Sequence, residues 1–77
     1  MENIKDKAFR YRNLSKDETF QELLNTVREQ QIAVFTSPDS SIDAIDEARS
    51  IVLALENLNR TIQMVLDQEA VWDKHNS

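Results

Sequence analysis

Glycine and cysteine are both absent from these 77 residues, and proline and histidine occur once each. Without glycine there is no P-loop and no dinucleotide fingerprint, because both need a backbone that turns tightly around phosphate. Two-residue β-hairpins rely on the same residue, so a β-meander is not expected. Without cysteine there is no disulfide framework, no thiolate zinc site and no thiol nucleophile. Long hydrophobic runs are missing as well: Ile32–Phe35 and Ile51–Leu55 span four and five residues, against the roughly 18 that a bilayer crossing requires. The first ten residues carry charges where a secretion signal needs an apolar stretch. The expected setting is therefore soluble, with no membrane.

Catalytic groups are equally sparse. His75 is the lone imidazole, and Ser15, Ser37, Ser40, Ser41 and Ser50 have no partner base in an arguable position. Asp39, Asp43, Asp46 and Glu47 cluster, but Ile42 and Ala44 interrupt the alternation that a calcium loop needs. These carboxylates read as complements to a helix dipole. No enzyme activity, cofactor or metal is expected.

What the chain does have is helical patterning. Charged residues make up 30% and hydrophobic residues 40%, with a net charge of −5. Phe20, Leu23, Leu24, Val27, Val34 and Phe35 recur at helical spacing and predict a first helix over about 16–35. Ser15 and Glu18 have the spacing of a capping box at its start. Pro38, within a Ser/Asp cluster, marks the one clear break. A second helix is predicted over about 42–72. Its apolar residues fill heptad positions a (45, 52, 66), d (48, 55, 62) and g (51, 58, 65, 72). This stripe is wider than a two-stranded coiled-coil seam, and it suits packing against more than one neighbour. The expected fold is all-α: an antiparallel helical hairpin of residues 16–77 preceded by a basic N-terminal arm, residues 1–15, and packed in an oligomer.

The arm concentrates positive charge. Residues 1–16 hold five basic and two acidic residues, whereas 17–77 hold four basic and twelve acidic. The longer second helix should overhang the first, and the arm is placed to cover that overhang with Phe9 and Tyr11. Its charges would then meet Asp67, Glu69 and Asp73. Basic and aromatic residues alternate through Phe9, Arg10, Tyr11 and Arg12, but so few charges on an acidic chain argue for a protein partner rather than nucleic acid. Candidate partner-binding residues are Phe9, Arg10, Tyr11, Arg12, Ile51, Leu58, Val65 and Trp72. Gln30, Gln31 and Asn59 interrupt apolar stripes, where a buried amide can set register.

The run from Phe20 to Leu24, with Ser37-Pro38-Asp39 and Glu47-Ala48-Arg49 leading into Ala54-Leu55 and Leu58, resembles small helical proteins of tailed bacteriophages from virion-morphogenesis regions. The likeness extends over about residues 19–69 and implies a structural or assembly role with oligomeric packing, in a virion or the host cytoplasm. Tyr11-Arg12-Asn13-Leu14-Ser15 is similar to a segment of phage anti-defence proteins that sequester cyclic nucleotide signals. That likeness implies an alternative role, binding a host nucleotide signal or host protein.

Overall fold

The computed structural model describes residues 3–76, which form three helices: α1 (Ile4–Lys16), α2 (Glu18–Thr36) and α3 (Ile42–His75). The all-α expectation holds, but the stretch read as an arm is itself a helix. Asn3 starts it, its side chain accepting from the Asp6 amide at 2.9 Å, and Asp6 lies in the positively polarised first turn. Ile4, Lys7, Ala8, Tyr11, Arg12 and Ser15 form its less exposed face, at steps of three and four. Ala8 is fully buried, and its single methyl lets the two backbones approach closely.

Asp17 separates α1 from α2 without glycine or proline. Its extended backbone (φ −69°, ψ 122°) breaks the ladder, its N–H bonds to Leu14 O, and its carboxylate accepts from the Phe20 amide at 2.8 Å. One residue thus closes one helix and caps the next. The N-cap falls on Asp17 rather than Ser15, whose hydroxyl donates to Arg12 O instead. Gln21 Nε2 reaches back to Ser15 O, satisfying a carbonyl at the end of α1.

The turn at 37–41 also manages without a left-handed residue; none of the described residues has positive φ. Ser37 N–H bonds to Ala33 O, the Ser40 hydroxyl donates to Val34 O at 2.7 Å, and the Ser41 hydroxyl caps α3 by accepting from Ala44 N. Hydroxyls here do the work that glycine does at many helix ends.

With only five residues in that turn, α2 and α3 run antiparallel. α2 lies along the N-terminal half of α3, and α1 continues along the C-terminal half. The predicted hairpin is present, but its two rods, 4–36 and 42–75, are nearly equal in length. The expected overhang is real and is covered by a helix. The result is a rod of 56 × 22 × 21 Å with a radius of gyration of 16.8 Å, where a compact chain of this length would have about 11.5 Å.

Such a rod hides little. Ala8, Leu24, Ala48, Leu55 and Val65 form the buried apolar core, while Leu14, Leu23, Ile42, Leu53, Leu58 and others stay exposed. The accessible surface is 6065 Å², about 1,200 Å² more than a globular chain of this mass presents.

Candidate functional site

Midway along the rod, where α1 gives way to α2, a groove of about 340 Å³ opens between the helices. Tyr11 and Leu14 of α1, Phe20 of α2, and Asn57, Leu58, Thr61 and Ile62 of α3 line it. Leu14 and Leu58 are each about half exposed, at 48% and 50%. Helical spacing carries the apolar lining away from the groove in both rods. On α2, Phe20, Leu23, Val27 and Val34 share one stripe, and on α3, Ile51, Leu58, Val65 and Trp72 follow at steps of seven. Since Phe20 and Leu58 open into the same groove, the two stripes flank one side of the rod. Leu23 is 60% exposed and Trp72 44%. This flank is the candidate site.

Of the sequence-predicted partner residues, Ile51, Leu58 and Trp72 belong to these stripes and Tyr11 lines the groove. Val65 does not present itself: at 1% exposure it is core, because the stripe dips inward under α1. Phe9 is 61% exposed and lies apart from Tyr11. Two residues subtend about 200° on a helix, so Phe9 does not join Tyr11 in covering the overhang. Gln31 is buried, but its Nε2 donates to Val27 O of its own helix at 3.0 Å, so its polarity is met locally. Gln30 and Asn59 are exposed. The sequence places Leu23 in the α2 stripe without marking it as a partner residue, and Leu14 is not singled out, because an arm has no helix face to put it on.

A polar cluster locks α1 onto α3. Glu69, only 9% exposed, receives the Arg12 guanidinium and lies 3.7 Å from Lys5 Nζ. Lys5 also pairs with Asp73 at 2.5 Å and sits 5.7 Å from the Trp72 ring centroid. Its hydrogen bond to Asp73 raises the Lys5 pKa above the ordinary value; partial burial opposes the shift, and the charges of Asp73 and Glu69 add to it. The expected meeting of basic residues with Glu69 and Asp73 therefore occurs, whereas Asp67 accepts from Gln63. Arg12 is engaged inside the rod, and Lys7 stands over the Tyr11 ring at 5.7 Å. Arg10 has interactions of its own.

Charge divides the rod lengthwise. The end built from residues 3–16 and 57–76 has seven basic and four acidic residues, and the end built from 17–56 has two basic and nine acidic.

Among the described residues no group of three or more His, Asp or Glu is placed to hold a metal, and no helix is long and apolar enough to cross a membrane. No protein-family model, curated protein or solved structure matches the chain.

Proposed function

We propose that this chain is a non-enzymatic structural protein that works by packing its helices against others in an oligomer. The observation that carries the reading is the apolar flank around Leu14, Leu23 and Leu58 on a rod with about 1,200 Å² of surplus surface. That surplus is of the order each partner contributes to a specific interface, about 800 Å² or more. The phage setting, a virion or assembly component in the particle or the host cytoplasm, rests on the resemblance of residues 19–69 to small helical phage proteins.

A nucleotide-sequestering role is less well supported. It would call on Tyr11 and Arg12, and Arg12 is held by Glu69.

Sedimentation equilibrium over a wide concentration range tests the proposal. Association that grows with concentration is expected; an invariant mass of 9.0 kDa with no binding to any virion component would overturn it. A rise in melting temperature on adding cyclic dinucleotides would favour the alternative.

A further inference from the structure

Resting on that helix-packing reading, we infer that the occupant of the flank is a second copy of this chain, docked antiparallel about a twofold axis through the mid-rod groove to make a four-helix bundle. Three observations converge on this arrangement.

The first is position. The midpoint of α3 falls between Leu58 and Asn59, and the midpoint of the 4–36 rod falls at Phe20; Leu58 and Phe20 both line the groove. A twofold axis through the groove superposes the full length of one rod on the other and brings each Leu58 to its counterpart. An isologous interface needs this kind of self-complementary patch.

The second is charge. The basic end, with seven cations against four carboxylates, then lies over the partner's acidic end, with nine carboxylates against two cations. A parallel pair would instead place two strongly acidic ends side by side, which like-charge repulsion disfavours. The antiparallel choice follows from the sign pattern of the sequence.

The third is area. The surplus of about 1,200 Å² per chain lies within what a protomer buries in a stable homodimer. The exposed face of α2 around Glu18, Glu22, Asn25 and Glu29, beside Lys16 at the end of α1, is polar and suits the bundle's outside.

Spin labels give a direct test, because a chain without cysteine accepts them at chosen sites. Asp46→Cys and Arg60→Cys lie two heptads apart on the outer side of α3, one near its end and one near its middle. In the antiparallel bundle the labels are offset along the rod by about 38 Å for 46–46 and about 5 Å for 60–60, at 1.5 Å of rise per residue from the twofold axis, so the 46–46 separation is clearly the longer. Equal separations, or an assembly larger than a dimer, overturn the antiparallel dimer and leave the helix-packing reading standing. A chain that stays monomeric at every concentration overturns the second copy as occupant, and the reading itself then rests on its own test against virion components. Salt gives an independent check. Screening weakens the attraction between unlike ends, so the dimer dissociation constant rises several-fold between about 20 and 500 mM salt; a fall would indicate like ends together. Leu58→Asp should weaken the dimer at least 100-fold while leaving helicity intact, as Leu58 is half exposed in the single chain. Unchanged dimerisation would remove the groove from the interface.

Discussion

Between α2 and the first half of α3 the buried contact is mostly apolar, with Leu24, Ala48 and Leu55 at its centre. Between α1 and the second half it rests on Ala8 and Val65, and on Glu69 gripped by Lys5 and Arg12. The same long helix is thus held by oily packing at one end and by close backbone approach plus ion pairs at the other. The first kind of contact is non-directional and scales with area. The second depends on a few side chains in one geometry, so it sets where α1 sits more than how strongly it is held.

The sharpest way to break this contrast is to empty the apolar half. Leu55→Ala empties one of the two leucine sites of that core, at a cost of about 2–5 kcal/mol. A chain this small has a net stability near the low end of about 5–15 kcal/mol. The variant should therefore lose most of its helical circular dichroism well below the wild-type midpoint in urea. Near-wild-type stability would mean that the α2–α3 contact is not the main source of cohesion.

The same contrast explains what could be read from the sequence. α2 and α3 were legible because their apolar residues keep a helical period over several turns, and Pro38 with the neighbouring serines marks the turn. α1 was not, because its contact face mixes Ile4, Ala8 and Tyr11 with Lys7, Arg12 and Ser15, so its apolar stripe is short and diluted by charge. The cue that was present is local: Asn3 stands three residues before Asp6, and Asp17 three before Phe20, each with cap spacing. Leu58 and Ile51 of the candidate flank followed from the heptad and Leu23 from the stripe of α2, whereas Leu14 joins it only once α1 is a helix. Glu69 extends the d positions 48, 55 and 62. A carboxylate there breaks the apolar pattern, and the basic residues that neutralise it lie more than fifty positions away in the chain.

Glu69 gives a second and smaller perturbation. Glu69→Gln takes the negative charge from beneath Arg12 and Lys5 and should cost about 1–2 kcal/mol, the worth of hydrogen bonds to a charged group. The value falls in the lower part of the range because both cations are partly exposed, at 39% and 45% of their side chains, and can regain water. Glu69→Leu continues the apolar d stripe and should be neutral or stabilising, as replacing a buried ion pair by hydrophobic packing often is. Equal losses for Gln and Leu would show that the charge itself, rather than filled space, holds α1 in place.

The smallest expected effect is the most specific. Lys5 has a raised pKa in the folded chain, chiefly through its hydrogen bond to Asp73. The protonated ammonium is therefore bound more tightly in the folded state than in the unfolded one. Its stabilising contribution is fully present below the ordinary lysine value of about 10.4 and disappears as pH rises through the folded value. Urea midpoints of the wild type and Lys5→Gln should differ slightly at pH 8 and converge as pH rises past the folded value. The comparison is repeated in an Asp73→Asn background. There most of the pH dependence of the Lys5 effect should vanish, because its largest cause is gone, leaving only the weaker pull of Glu69. A difference that keeps its size as pH rises from 8 to well past the ordinary lysine value in the native background would separate Lys5 from the attachment of α1, and the ion-pair half of the rod would then rest on Arg12 and Glu69.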